Sequence, residues 1–229
     1  VRRVEMDGKE VLAQEAMRYV RDVKFLGLGT GRTVRTLIKR LNKEGILSSI
    51  EVICSSVDTE RQVAALGGNV LSIFVGKQPE IYIDSFDLLV ERKTLVKGGG
   101  AALLREKLLA YYSQKRIYLG ESHKLKDTPP VSVPVEVVPT SLSYLVKTLE
   151  QKGFNVLVRE SEGKIGPVIT DNGNAVIDVE VRDLKKLCDL DRDLKMYVGV
   201  VETGIFCPPL YDEILVAHGG EIERITKKI

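Results

Sequence analysis

The chain of 229 residues has no tryptophan, two histidines and three cysteines, and only 6% of it is aromatic. Two histidines, His123 and His218, cannot by themselves build a histidine-rich metal centre. Cys54, Cys188 and Cys207 are far apart, odd in number and without a C-x-x-C pair. That spacing speaks against a zinc site or a disulfide framework, and for small buried apolar side chains. So few aromatics give no base-stacking surface for nucleic acid. An excess of one charge is also missing: 34 Lys+Arg stand against 32 Asp+Glu, a formal +2 with the signs interspersed. A dedicated nucleic-acid binder clusters a basic excess. No run approaches the roughly 20 apolar residues of a membrane span. The opening residues Val1-Arg2-Arg3-Val4-Glu5 lead into charge instead of an apolar signal core, so a cytoplasmic protein is expected and export is not.

What is present is an ordinary globular composition, 44% hydrophobic and 29% charged. The length suits one large domain, or a medium domain carrying a smaller one. Chemistry in such a chain must rest on carboxylates, lysines and backbone groups.

Up to about residue 120, short apolar runs alternate with helical periods. Leu12, Ala16, Tyr19 and Val20 predict a helix over 7–21, and Val34, Leu37, Ile38 and Leu41 a second. Phe25–Gly29, Ile50–Cys54, Ile81–Ile83 and Arg116–Leu119 read as strands, with Asp58 and Glu60 in the first turn of a further helix. Strands separated by helices predict an α/β fold: a Rossmann-like, mainly parallel sheet with helices on both faces. Beyond Lys126 the texture changes. Pro129, Pro130, Pro134 and Pro139 suggest a domain junction. A helix capped by Thr140 or Ser141, a strand at 154–158, a hairpin about Asp171-Asn172-Gly173-Asn174, a helix at 183–190 and a strand at 196–201 follow. They predict a smaller α+β domain over 131–201, with 1–130 and 202–229 forming the larger one. The run Glu213–Ala217 is expected to return to the first sheet.

Three stretches lie where a predicted strand gives way to a loop, the position at which open α/β sheets bind ligands. Gly27-Leu28-Gly29-Thr30-Gly31-Arg32-Thr33 offers glycines for close backbone approach, the free N–H groups of a helix start, two hydroxyls and a positive charge. This suits a phosphate. The spacing is not the dinucleotide G-x-G-x-x-G, and the Gly-Lys-Ser/Thr of a P-loop is missing; a tight turn needing glycine is the alternative. Asp84-Ser85-Phe86-Asp87 places two carboxylates three residues apart, for acid/base work, sugar hydroxyls or magnesium, or as a helix cap or solvated turn. Lys97-Gly98-Gly99-Gly100 precedes a strong helix former. Three consecutive glycines cost about 0.5–1 kcal/mol each relative to alanine. Backbone N–H groups facing an oxyanion, with Lys97 beside them, would justify that cost. Glu106, on the second turn of the following helix, is placed to act as a base or is an exposed helix charge.

Taken in order, these segments resemble the ribose-5-phosphate isomerase A family. Gly27–Thr33 is similar to its G-x-G-T-G-S-T loop, Ser55-Ser56 with Thr59 to S-S-x-x-T, and Ile83–Asp87 to D-G-A-D. Lys97–Lys107 resembles K-G-G-G-A-A-L-x-R-E-K. Pro134–Pro139 is similar to P-V-E-V-I-P, Val168–Asp178 to V-T-D-N-G-N-x-I-L-D, and Gly199–Phe206 to G-V-V-E-x-G-L-F. The resemblance spans nearly the whole chain.

It implies interconversion of ribose 5-phosphate and ribulose 5-phosphate through an enediolate, without cofactor or metal, by a homodimer or homotetramer that binds neither nucleic acid nor membrane. By matched position Glu106 is the base. Lys97 and the amides of Gly98, Gly99 and Gly100 stabilise the enediolate oxygens, and Asp84 and Asp87 serve ring opening and hydroxyl binding. Thr30, Gly31, Arg32 and Thr33 lie in the substrate site, as do Ser85 and Phe86 between the aspartates, and Lys124 contacts substrate. The chain departs from the pattern at Ser85, Phe86 and Leu88, where the family has Gly, Ala and Glu, and at Arg32, where it has Ser. These changes bear on substrate preference more than on reaction type. The alternative is a sugar-phosphate-sensing domain that binds without turnover. Such a domain is expected to lose the base or the lysine, and Glu106, Lys97, Asp84 and Asp87 are all present. An amino-sugar-phosphate deaminase-isomerase is disfavoured by the scarcity of histidine.

Overall fold

A computed structural model describes residues 7–226. Val1–Met6 and Lys227–Ile229, and with them the reading of the opening residues, lie outside the described residues. The chain divides into two compact units. The first takes the residues up to Phe86, then Arg105–Lys124 and those from Pro208; the second takes Asp87–Leu104 and Leu125–Cys207.

The first unit is built on a seven-stranded sheet. Its order across the sheet is Glu221–Thr226, Glu213–His218, Lys115–Glu121, Ile81–Ser85, Phe25–Leu28, Glu51–Cys54 and Asn69–Leu71. All neighbours are parallel except the edge strand Glu221–Thr226. Strands buried on both faces read as continuous apolar runs, which is why Phe25–Leu28 shows no alternation. Leu12, Ala16 and Val20 of the helix Gly8–Val20, with Val34, Leu37 and Leu41 of the helix Arg32–Lys43, pack on Leu26, Leu28, Val52, Ile83 and Leu119. The return of Glu213–His218 beside Lys115–Glu121 is as expected. The strand after it was not predicted, although Gly219-Gly220 and the alternating Glu221–Thr226 form an antiparallel hairpin with it.

The chain runs from the inner strand Phe25–Leu28 outward on one side, then resumes on its other side at Ile81–Ser85. The carboxyl ends of those two strands flank the point where the order reverses, the usual ligand crevice of an open parallel sheet. The Gly29 N–H donates to the Ile83 carbonyl at 2.9 Å and fixes their ends level.

The second unit has an antiparallel sheet in the order Asn155–Val158, Ala175–Val181, Val131–Val137, Val200–Thr203. Val131, Val133, Val135 and Val137 alternate inward against Leu145 and Leu149 of the helix Leu142–Gln151 and Leu187 and Leu194 of the helix Leu187–Lys195. Ser132, Pro134 and Glu136 therefore point to the other face. A second sheet joins Ile205–Phe206, Thr94–Val96, Leu88–Val90 and Leu125–Lys126. The sequence grouped 87–104 with the larger domain; its strands hydrogen-bond instead within this second unit.

Several local expectations need correction. Pro134 is not in a junction but mid-strand, between two neighbours. Ser141 does not cap its helix with its side chain. A turn of 3-10 helix over Pro139–Ser141 leads in, and the hydroxyl donates back to the Val138 carbonyl at 2.6 Å. The helix expected at 183–190 begins with such a turn at Leu184–Lys186 and runs on to Lys195. This displaces the following strand from 196–201 to Val200–Thr203.

The loop Asp171–Asn174 does reverse the chain, with Ile169 bridging Ala175 and the Thr170 N–H donating to the Asn174 carbonyl at 2.8 Å, but among the described residues the strands Lys164–Pro167 and Ala175–Val181 on either side do not pair as a hairpin. Its residues serve another purpose. Thr170 Oγ1, Asn172 Nδ2 and Asn174 Nδ2 all donate to Oε1 of the fully buried Glu136, at 2.9, 3.0 and 2.9 Å. The T-D-N-G-N and P-V-E-V-V-P segments are thus two halves of one buried polar cluster. Cys188 and Cys207 are not separate apolar side chains but a disulfide with Cα atoms 5.9 Å apart, which the sequence reading missed. Cys54 is buried and free, as expected. Among the described residues no helix is long and apolar enough to cross a membrane.

Candidate active site

The first predicted loop sits at the reversal point of the first unit. Gly29 is required there by space: a Cβ would lie 1.9 Å from the Asp84 carboxylate. Gly31 is required by conformation, with φ +126 and Ser85 Oγ only 2.9 Å from where a Cβ would stand. The Thr30 N–H donates to Asp84 Oδ1 at 3.1 Å, and Ser85 Oγ donates to the Thr30 carbonyl at 3.1 Å. A run of hydroxyls ties the loop to the next strand end. Thr30 Oγ1 donates to Ser56 Oγ, Ser56 to Thr59 Oγ1, and Thr59 to the Gly29 carbonyl, at 2.8, 3.1 and 2.8 Å. Ser55 Oγ also lies 2.8 Å from Thr30 Oγ1. Ser56 caps the helix Val57–Ala65 as well, accepting from the Thr59 N–H.

Asp84 is fully buried. Its Oδ1 also accepts the Ser85 N–H at 2.6 Å, and its Oδ2 accepts the Tyr82 hydroxyl at 2.5 Å. Strand parity makes this possible: Tyr82 and Asp84 share a face, and Tyr118 stands opposite Asp84 on the neighbouring strand. The Tyr82 and Tyr118 rings meet edge to face with centroids 6.2 Å apart. Burial pushes both phenols well above their usual range, and the negative charges of Asp84 and Glu106 add to the effect. Glu106, 4% exposed, therefore belongs to the same electrostatic neighbourhood as Asp84. It occupies the first turn of the helix Leu103–Tyr112, not the second, because the glycine stretch ends in a left-handed Ala101 that delays the helix. The free N–H groups and dipole of a first turn favour a carboxylate. The Phe86 ring packs over Gly120, where a Cβ would come within 2.2 Å of it, and Lys124 Nζ donates to the Phe86 carbonyl at 2.6 Å.

The second unit holds the remaining residues. Lys97 is 2% exposed, with its ammonium 5.7 Å from the centre of the Phe206 ring. Its backbone is fixed by a consequence of Pro134. In an antiparallel pair Pro134 and Gly204 would exchange two hydrogen bonds. The Gly204 N–H donates to the Pro134 carbonyl at 2.7 Å, but proline has no N–H to return. The Gly204 carbonyl accepts the Lys97 N–H instead, at 2.8 Å. Gly204 must itself be glycine, since a Cβ would lie 2.1 Å from the Lys97 carbonyl oxygen. Gly98, at φ +103, packs on Pro134. The Gly99 N–H donates to Asp87 Oδ2 at 2.7 Å, and the Ala101 N–H to the Gly98 carbonyl at 3.0 Å.

The structure thus gathers Thr30, Gly31, Asp84 and Ser85 in one unit, together with Phe86, Lys124 and Glu106. It gathers Asp87 with Lys97, Gly98, Gly99 and Gly100 in the other. Thr33 is buried at the helix start, and Arg32 beside it is exposed on the first turn. Sequence reasoning left Tyr82 out, although its i, i+2 relation to Asp84 on a predicted strand was a usable signal. Ser56 carried a capping signal. Arg159, which contacts the glycine loop of the second unit, carried none, whereas Asp178, which holds Arg159, closes the matched Val168–Asp178 segment.

Residues 51–221 match the family model of ribose 5-phosphate isomerase A (phosphoriboisomerase A). The chain is 38% identical over 221 residues to the ribose-5-phosphate isomerase A of Korarchaeum cryptofilum, covering 96% of this chain and 97% of the relative. Its structure is similar to ribose 5-phosphate isomerase A from Methanocaldococcus jannaschii, with a TM-score of 0.87 and 29% identity over 96% of this chain and 99% of the other. A D-ribose-5-phosphate isomerase solved in complex with phospho-erythronic acid matches equally well, at TM-score 0.87 and 29% identity, covering 96% of this chain and 98% of the other. With the pinned aspartate, the buried glutamate and the lysine-glycine loop in place, these likenesses agree: the chain belongs to the ribose-5-phosphate isomerase A family.

Proposed function

We propose that this aldose–ketose isomerase interconverts D-ribose 5-phosphate and D-ribulose 5-phosphate by proton transfer through Glu106. The Glu106 carboxylate takes the proton from C2 of the open-chain aldose. The C–H electron pair becomes the C1–C2 double bond, and the carbonyl pair moves to O1, giving an enediolate. The C2 hydroxyl passes its proton to O1, and Glu106 returns the first proton to C1 as the C2 carbonyl forms, giving the ketose. The exchange is redox-neutral within the substrate, so no external oxidant is needed.

Lys97 and the glycine amides stabilise the enediolate oxygens by fixed charge and donors. Asp84 and Asp87 handle ring opening and the sugar hydroxyls. Thr30–Thr33 and Lys124 hold the rest of the phosphorylated chain. The phospho-erythronic acid bound by the structural relative presents a planar pair of carboxylate oxygens on a hydroxylated, phosphorylated chain, and so copies the shape of an enediolate. The observation that carries the reading is Glu106, a carboxylate 4% exposed on a first helical turn, in the segment that also supplies the buried Lys97. We further propose a cytoplasmic homodimer or homotetramer, which light scattering of the purified protein tests.

NMR of the protein with ribose 5-phosphate in deuterated water should show ribulose 5-phosphate appearing with deuterium at the transferred position. Glu106→Gln should abolish interconversion and retain sugar-phosphate binding. Turnover at the wild-type rate in that variant would overturn the assignment.

A further inference from the structure

We propose that Arg159, held by Asp178, is a positioning residue that sets the glycine loop, aiming the Gly99 N–H at Asp87 and the Gly100 N–H toward the reacting oxygens. Arg159 follows the strand Asn155–Val158 and lies some sixty residues from the glycine loop in sequence, within the same unit. Its guanidinium is fixed first. Nε donates to Asp178 Oδ2 at 2.8 Å and Nη2 to Oδ1 at 2.5 Å, a bidentate fork that sets the plane of the group. Its backbone is fixed too, since its N–H donates to the Val176 carbonyl at 2.9 Å and its carbonyl accepts the Val168 N–H at 2.8 Å. The remaining nitrogen, Nη1, faces the loop: it donates to the Gly98 carbonyl at 2.6 Å and stands 3.4 Å from the Gly99 carbonyl.

A trans peptide carries its C=O and N–H on opposite sides. A cation facing the Gly98 and Gly99 carbonyls therefore turns the Gly99 and Gly100 N–H groups to the far side. The Gly99 N–H confirms that direction, because it meets the Asp87 carboxylate at 2.7 Å. The Gly99 N–H thus serves to hold Asp87, and the Gly100 N–H, turned the same way, is the donor offered to a developing enediolate oxygen. The guanidinium also polarises the peptide groups it faces, making their amides stronger donors. Asp178 cancels the arginine charge, so the pair orients the loop without adding a second net charge beside Lys97.

This inference rests on the proposed role of the glycine loop, and the test separates the two. Arg159→Ala should lower kcat on the order of tenfold to a hundredfold, the cost of displacing a catalytic donor, with KM for ribose 5-phosphate nearly unchanged. Guanidinium ion added to that variant should restore part of the rate. Arg159→Lys should recover part of kcat by keeping one donor to the loop, and Asp178→Asn should lose less than Arg159→Ala. In the 15N spectrum the Gly99 and Gly100 amides should shift in Arg159→Ala. If that variant does not fold, the lysine and Asp178→Asn variants decide by the same split between kcat and KM. Wild-type kcat in the folded variants, or a change confined to KM, would overturn the positioning role. A Glu106→Gln variant that still turns over would instead overturn the site assignment beneath it.

Discussion

Asp84 and Lys97 are both buried charges, yet the chain holds them by different means. Asp84 ends a parallel strand, and its carboxylate is met by the Thr30 N–H from the adjoining strand's loop, by its neighbour Ser85, and by Tyr82 on its own strand face. Each of these partners follows from strand order and parity. Lys97 ends a short antiparallel strand whose course depends on a proline without a donor, a glycine at 204 and an arginine at 159. Its supports come from three separate parts of the sequence. A parallel sheet with a reversal point supplies a binding crevice as a by-product of its topology, whereas the second unit assembles its loop from specific distant pairs.

The sharpest way to break that comparison is to fill its two tightest glycines. Gly29→Ala and Gly204→Ala should each cost upwards of about 3 kcal/mol, because neither site has room for a methyl group. The means of relief should differ. The Gly29 clash is with the Asp84 side chain down to its Cβ, 2.5 Å away, so adding Asp84→Gly, which removes that atom as well, should return much of the stability lost to the clash. The Gly204 clash is with the Lys97 backbone carbonyl, and no side-chain truncation should relieve it. Thermal unfolding of the single and double variants measures both, and equal rescue in the two units would erase the distinction.

The disulfide is the next test, and it belongs to the second unit alone. Closing the loop between Cys188 and Cys207, nineteen residues apart, should contribute about 3 kcal/mol by restricting the unfolded chain. A reductant should therefore lower the melting temperature of the wild type and leave a Cys188→Ser, Cys207→Ser variant unmoved. A wild type indifferent to reductant would show that the second unit does not rely on this link.

The same contrast explains what the sequence made legible. The strands at 25–28, 51–54, 81–85 and 115–121 announce themselves as apolar runs, and two of the three glycine or aspartate stretches fall at the ends of 25–28 and 81–85, while Lys97–Gly100 follows the short strand Thr94–Val96 of the second unit. The resemblance then named Glu106, Lys97 and the two aspartates. In the second unit local signals misled. Asp171–Asn174 has turn chemistry, but its asparagines were spent on Glu136, a partner more than thirty residues away that no local pattern reveals. Pro134 read as a breaker because its missing donor is tolerated only through Gly204 and Lys97. Cys188 and Cys207 read as apolar because their pairing depends on how the helix at Leu187–Lys195 meets the segment after Phe206.

Tyr82→Phe probes a smaller interaction in the first unit. A buried hydroxyl donating to a carboxylate contributes about 2 kcal/mol, so unfolding should register a loss of that order. The Asp84 carboxylate keeps its two backbone donors, and the variant should fold. A change below about 0.5 kcal/mol would mean that Asp84 is held without the Tyr82 hydroxyl.

The least costly perturbation is alkaline pH, and it too should fall on one unit. Tyr19, Tyr82, Tyr118 and Tyr211, whose phenols burial pushes up, all belong to the first. A phenol whose folded pKa is raised keeps its proton in the native state while the unfolded chain loses it near the ordinary value of 10.0. Below that value the stabilisation is fully present. Above it the unfolded state binds fewer protons than the native one, so stability falls as pH rises. At about pH 10.5 the loss should be on the order of 1 kcal/mol for each fully buried tyrosine. Tyrosinate absorbance should then rise in step with unfolding for Tyr82 and Tyr118. Replacing Tyr82 by Phe should flatten the alkaline slope by about one tyrosine's share. An unchanged slope would place the alkaline sensitivity outside the Tyr82–Asp84 contact and remove the first unit's claim to it.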